Sequence, residues 1–186
     1  MLLLFSVLVL VASVCSSDAD RGYNALQFGT SSSDYVRFSF DMSPFQYSFS
    51  LCTWIKRIYS SSSYPTVFNY WTYSYNWEII VTADGQDIYV FNDGGLNSKF
   101  TASTGKWYSL CLTWSRSTYT SKLYLDGELV GTDTTPNRSL TMGGTLALGN
   151  RAYTSSSSSY VFGGSVYQLN MFSEVLSAAD IRKITE

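Results

Sequence analysis

Phe49-Ser-Leu-Cys52-Thr-Trp54 and Trp107-Tyr-Ser-Leu-Cys111-Leu-Thr-Trp114 each set one cysteine inside a run of aromatic, β-branched and leucine residues. Side chains of this kind fit a pleated, half-buried surface, so both runs read as strands. Joining Cys52 to Cys111 would close a loop of about 60 residues and stabilise the fold by roughly 3 to 5 kcal/mol, mainly by restricting the unfolded chain. The alternative is a pair of buried free thiols.

The compartment bears on that choice. Residues 1–17 read as an export signal: an apolar run from Leu2 to Ala12, then Ser13-Val-Cys-Ser-Ser17 with small residues suited to cleavage. The run is too short to span a bilayer. No Lys or Arg precedes it, so the amino terminus alone supplies the positive start; the competing reading is an apolar N-terminal strand or a retained anchor. Cleavage near Ser16 or Ser17 removes Cys15 and leaves Cys52 and Cys111, an even count with one possible pairing in an oxidising, extracellular setting. Residues 18–186 then form a single domain, since a chain of this length encloses one sizeable core.

Composition excludes several functions. Charged residues make up 14% of the chain, the net charge is -2, and no block of Lys or Arg appears, which argues against nucleic-acid partners and membrane insertion. The chain has no histidine, which removes Ser-His-Asp and Cys-His catalysis and imidazole-bound zinc. Glycoside hydrolysis needs two carboxylates flanking a bond. The four glutamates, Glu78, Glu128, Glu174 and Glu186, form no Glu-x-Asp-x-x-Glu cluster, so the chain reads as a binding protein rather than an enzyme.

Aromatic residues reach 17%, and short alternating runs predict strands at 23–28, 35–40, 47–58, 66–71, 77–81, 88–91, 107–115, 122–125, 128–132, 145–148 and 165–172. Asp84-Gly85 and Asp126-Gly127 fall between such runs and predict tight hairpins, because Asp-Gly supplies the positive φ that the turn demands. Evenly spaced strands joined this way are best satisfied by two packed antiparallel sheets, an all-β jelly-roll sandwich. One helix is signalled, by Ser177 with Asp180 three residues on, and Leu176 and Ile181 should face inward. Trp54, Trp107 and Trp114 read as core. The serine tracts 60–63 and 155–159 cannot fill a core and read as exposed loops.

The blocks Tyr35-Val-Arg-Phe, Phe49-Ser-Leu-Cys52-Thr-Trp, Trp107-Tyr-Ser-Leu-Cys111-Leu-Thr-Trp114, Leu123-Tyr-Leu-Asp126-Gly127-Glu-Leu-Val-Gly131, Leu146-Ala-Leu-Gly149 and Phe162-Gly-Gly-Ser-Val-Tyr-Gln-Leu-Asn170-Met-Phe172 occur in a telling order. In that order and spacing the chain resembles the pentraxins and the broader laminin-G-like jelly rolls related to concanavalin A. The resemblance covers most of residues 18–186 and implies a Cys52–Cys111 disulfide. It also implies calcium bound through an Asp-Asn pair before the strand at Glu78 and through acids after Leu148-Gly149. Here the chain departs from the pattern. It offers Asn76-Trp77 and Asn150-Arg151-Ala152-Tyr153, with Tyr160 near a further ligand position and Ser109 where the family signature has histidine. Calcium prefers several oxygen ligands with carboxylates among them, so no cofactor is expected. Asn92, Asp93 and Asn97 could make a different oxygen site, although a hairpin turn explains them more simply.

The lost acids are replaced by aromatics. Tyr73, Tyr75, Asn76 and Trp77 on one loop and Asn150, Tyr153 and Tyr160 on another would converge on the family's ligand face. Rings stack on the apolar faces of sugars, and amides donate to and accept from hydroxyls. These residues form the candidate binding site of a secreted lectin-like module; the competing reading has the rings packed against one another in an adhesion module whose partner is an extracellular protein. An open aromatic groove would favour the first and a closed cluster the second. Asn137-Arg-Ser139 is a glycosylation sequon in a polar connection. An oligomer is compatible with the family. Pentraxins continue past the helix that ends near Glu186, which weighs against a pentamer.

Overall fold

In a computed structural model the chain folds into two antiparallel sheets and one helix. The structure describes residues 5–6, 15–18, 23–58, 62–74, 76–85, 88–91, 96, 100–151 and 158–185. In chain order the strands are β1 (Phe5–Ser6), β2 (Cys15–Asp18), β3 (Tyr23–Phe28), β4 (Val36–Phe40), β5 (Ser48–Arg57), β6 (Thr66–Thr72), β7 (Asn76–Thr82) and β8 (Ile88–Val90). They continue with β9 (Trp107–Ser115), β10 (Thr120–Leu125), β11 (Glu128–Thr134), β12 (Gly144–Leu148) and β13 (Gly164–Phe172), before helix α1 (Ala178–Thr185). The larger sheet runs β11-β10-β9-β5-β13-β3-β2 with β1 on β13, and the smaller runs β4-β12-β6-β7-β8. β1 and β2 arise from the segment read as an export signal; the other six strands of the larger sheet and the five of the smaller one make the sandwich.

Period-two patterning sets what each sheet buries. On β5 and β9, Phe49, Leu51, Ile55, Leu110, Leu112 and Trp114 point into the space between the sheets. They meet Phe68, Tyr70, Ile79, Val81, Leu146 and Leu148 from the smaller sheet. Trp114 is fully buried, edge-on to Phe91 at 5.2 Å between ring centroids, and donates its indole N–H to Thr135 Oγ1 at 3.0 Å. The Asp126-Gly127 turn forms as expected between β10 and β11, with φ of 47° and 81°. Gly85 likewise takes a positive φ of 71° after β7.

The same alternation corrects the reading of Trp54 and Trp107 as core. Trp54 and Trp107 share parity with the cysteines rather than with the core residues, so both stand on the outer face of the larger sheet and are only half-buried. Lys56 Nζ lies 5.8 Å from the Trp107 ring. Cys52 and Cys111 are bonded as expected, directly opposed on neighbouring strands of one sheet with Cα atoms 4.1 Å apart. The disulfide sits in a second small core outside the sandwich, with Tyr124, Phe172, Leu176 and Ile181. Helix α1 covers this patch. Ser177 caps it, its Oγ accepting the Asp180 N–H at 3.2 Å and donating to the Asp180 carboxylate at 2.6 Å. The Ser177 hydroxyl first, and then the Lys183 ammonium donating to the carboxylate at 3.3 Å, hold the Asp180 carboxyl below the usual aspartate range.

Ser63, Ser158 and Ser159 are exposed as expected of the serine tracts, and Ser62 is the exception. Ser62 is buried, its Oγ donating to Ser158 O at 3.3 Å, while Tyr64 N donates to Ser159 O at 2.9 Å. The two tracts therefore meet along one end of the smaller sheet. Ser60, Ser61, Ser155, Ser156 and Ser157 lie outside the described residues, as do Asn92, Asp93 and Asn97.

Candidate functional site

The residues singled out for binding are divided between the two ends of β6: Asn150 and Tyr160 lie where the serine tracts meet, beside Thr66, while Tyr73 and Asn76 lie at the far end, beyond Thr72. β6 and β7 join in a hairpin at that far end, whereas the chain leaving β12 passes the Thr66 end through Gly149, Asn150 and Arg151. Gly149 turns the backbone with φ of 86°, its N–H donating to Val67 O at 3.2 Å and its carbonyl accepting from Phe162 N at 2.8 Å. Those two bonds pin residues 149–151 against β6.

Arg151 organises the site. Its side chain is only 5% exposed, and Nε donates to Thr66 Oγ1 at 3.0 Å. The guanidinium carbon lies 4.6 Å from the ring centroid of Tyr160, 5.4 Å from that of Tyr64 and 5.7 Å from that of Trp77. Three rings thus present their electron-rich faces to one delocalised cation, which stacks well because guanidinium is flat and weakly hydrated. Tyr64 and Tyr160 also contact each other, with centroids 6.1 Å apart.

The proposed binding set is therefore divided. Trp77 and Tyr160 come together around Arg151, in a closed cluster rather than an open groove. The Trp77 indole N–H is buried with no hydrogen-bond acceptor among the described residues. Asn150 is fully buried, its Nδ2 donating to Ser32 O at 3.2 Å, so its amide ties the turn before β4 to the site. Tyr73 stands out at the hairpin turn, 88% exposed, with its ring edge-on to Trp71 at 5.4 Å. Asn76 lies at the start of β7, while Tyr75 and Tyr153 fall outside the described residues.

Sequence reading missed the structural use of Arg151 and the part of Tyr64. It weighed Arg151 only as a charge where a carboxylate was expected, and Tyr64 sat next to a serine tract read as solvent. A cation flanked in sequence by tyrosine-rich segments was the available signal. Also missed was a buried polar cluster further along β7. Glu78 is fully buried; Oε2 accepts the Thr141 N–H at 2.7 Å, and Oε1 lies 3.6 Å from Arg138 Nη1. Arg138 stacks on Phe91 at 4.2 Å. Tyr70 donates its hydroxyl to Thr141 O at 2.7 Å and accepts the Gly144 N–H at 2.9 Å. Burial foremost, with the Glu78 and Asp41 carboxylates adding to it, pushes the Tyr70 phenol up to about 12. This cluster anchors the 135–144 connection and offers one carboxylate, committed to structure.

Among the described residues no three His, Cys, Asp or Glu side chains gather into a group able to hold a metal ion. No described helix is long and apolar enough to cross a membrane.

Comparison with known proteins agrees with this architecture. Residues 28–182 match the concanavalin A-like lectin/glucanases superfamily, as its Laminin_G_3 member. Neuronal pentraxin-2 of Cavia porcellus is 29% identical over 148 residues, 76% of this chain and 34% of its own length. The chain thus spans about a third of the length of the curated relatives it matches. Among solved structures, the native heptameric SAP-like pentraxin of Limulus polyphemus superposes with a TM-score of 0.68 at 17% identity, over 86% of this chain and 80% of that one. Domain 4 of the extracellular arabinanase AbnA from Geobacillus stearothermophilus, solved with arabinotriose, gives 0.71 at 16% identity, over 92% of this chain and 80% of that one. The match over residues 28–182, the two-sheet topology and the pentraxin relatives lead to one conclusion: the chain belongs to the concanavalin A-like lectin/glucanase superfamily, among its pentraxin and laminin-G-like jelly rolls.

Proposed function

We propose that the chain is a secreted recognition module that binds glycans at the β6–β7 end of the smaller sheet, without calcium and without turnover. The observation that carries the reading is Tyr73: an aromatic ring left 88% exposed and braced edge-on by Trp71 at the tip of a hairpin. A supported, solvent-facing ring is what a sugar's apolar face stacks on. The superfamily's lectins and the arabinotriose complex of domain 4 of AbnA support a carbohydrate as the ligand class. The Cys52–Cys111 bond fits an oxidising, extracellular setting.

The calcium that the family implies does not fit the residues present. Where carboxylates would be needed after Gly149, a buried guanidinium is held by three rings and a hydroxyl, and the neighbouring Asn150 amide is turned onto Ser32. A cation placed there would face another cation.

A glycan array probed with the secreted chain in chelator tests the reading. Bound glycans whose signal falls about fivefold in Tyr73→Ala, with the melting temperature unchanged, support it, since one ring stack is worth roughly 1 kcal/mol. No bound glycan, or binding that requires calcium, sinks it. The closed cluster around Arg151 favours a second reading, an adhesion module with a protein partner, because it engages Trp77 and Tyr160 in packing and leaves both half-buried. A saturable protein partner that no sugar displaces would select that reading.

A further inference from the structure

A separate cleft of about 660 Å³ opens away from this site, beside the ends of β5 and β9. Its lining includes Tyr47, Arg116, Tyr119, Glu174 and the sequon residue Asn137. The two tyrosines are 56% and 40% exposed, large ring surfaces that the sandwich does not use. Arg116 lies 5.4 Å from the Tyr47 ring and donates through Nη1 to Ser139 Oγ at 3.0 Å. Asn137 itself is exposed at a bend after β11, and its neighbours are fixed: Arg138 reaches back to Glu78, and Thr135 N donates to Tyr119 O at 2.8 Å. The asparagine is thereby presented at the rim of the cleft by a rigid segment.

Two aromatic surfaces, a guanidinium and a carboxylate around an open, half-apolar hollow are the groups that recognise a pyranose: stacking for the ring face, charged hydrogen-bond partners for the hydroxyls and the acetamide. A sugar attached at Asn137 needs no free affinity to reach this hollow, because the covalent link makes the encounter intramolecular. We infer that Asn137 carries an N-linked glycan whose first residues lie in this cleft against Tyr119 and Tyr47, so that the hollow is filled by the chain's own carbohydrate. The inference rests on the export reading for occupancy of the sequon, but not on the ligand site at Tyr73.

The full chain is expressed in eukaryotic secretory cells, and intact mass is measured for wild type and Asn137→Gln. Thermal melting and tyrosine footprinting are then compared between each glycoprotein and its form trimmed to a single N-acetylglucosamine, in wild type and in Tyr119→Ala. A docked glycan makes the untrimmed and trimmed forms melt above Asn137→Gln by roughly 2 to 4 °C, protects Tyr47 and Tyr119 from labelling several-fold, and loses the thermal increment in Tyr119→Ala. An unmodified Asn137 overturns the inference. So does an attached glycan that leaves tyrosine labelling unchanged, or whose thermal increment is the same in Tyr119→Ala, since stabilisation would then come from the unfolded chain.

Discussion

Replacing Arg151 by lysine tests the aromatic cage while keeping a positive charge. Lysine retains the stem but loses the Nε–H donated to Thr66 at 3.0 Å and the flat group facing Tyr160, Tyr64 and Trp77. A hydrogen bond from a charged donor contributes about 1.5 to 3 kcal/mol, and a desolvated cation–π contact about 1 to 2 kcal/mol. An ammonium regains part of both, so Arg151→Lys should cost about 2 to 4 kcal/mol and lower the melting temperature by roughly 5 to 12 °C in a domain of this size. Urea titrations of wild type, Arg151→Lys, Tyr160→Leu and the double variant isolate the nearest contact, and the coupling should be about 1 kcal/mol. Millimolar calcium should leave the wild-type melting temperature in place, because a ligand that binds only the folded state would raise it. The reasoning is refuted if Arg151→Lys lies within about 0.5 kcal/mol of wild type with no coupling to Tyr160, or if calcium stabilises the folded chain.

Other consequences follow from the core and its borders. Opening the disulfide with the Cys52→Ser, Cys111→Ser pair should cost roughly 3 to 5 kcal/mol and raise the denaturant slope, because the unlinked unfolded chain exposes more surface; equal midpoints for the two proteins would contradict this. The Tyr70 phenol is raised from 10.0 to about 12, so its contribution is complete below pH 10 and is lost as pH rises towards 12. Stability measured across that window should fall by roughly 2 to 3 kcal/mol more in wild type than in Tyr70→Phe, and parallel curves would remove Tyr70 as the source. Gly149→Ala combines a φ of 86° with a Cβ driven into the Phe28 ring and should cost about 2 to 4 kcal/mol; a loss below about 1 kcal/mol would show that the turn relaxes at little cost.

Much of the scaffold was legible because its signals are local. The expected runs at 23–28 and 107–115 coincide with β3 and β9, and the other nine fall within two residues of the strands at each end. Alternation with period two is written into each strand, and Asp126-Gly127 carries its own turn geometry. Ser177 and Asp180 likewise start α1 through contacts three residues apart. The binding set was legible only in part. Tyr73 could be picked out as an exposed ring, whereas Asn150 looks the same in sequence whether its amide meets solvent or, as here, Ser32.

The sequence by itself determined the two cysteine-bearing strands, the sandwich they belong to and the loss of the family's carboxylates, since each depends on residues near one another in the chain. Only the tertiary structure decided which way those features face. It put the disulfide on the outside of one sheet under α1, because a strand's parity assigns a face but not what will cover it. It also enclosed Arg151 within rings drawn from residues 64, 77 and 160. No spacing rule relates those positions, because a cation buried among aromatic faces is stabilised by groups that meet only when both sheets, the hairpin and the serine tracts are in place.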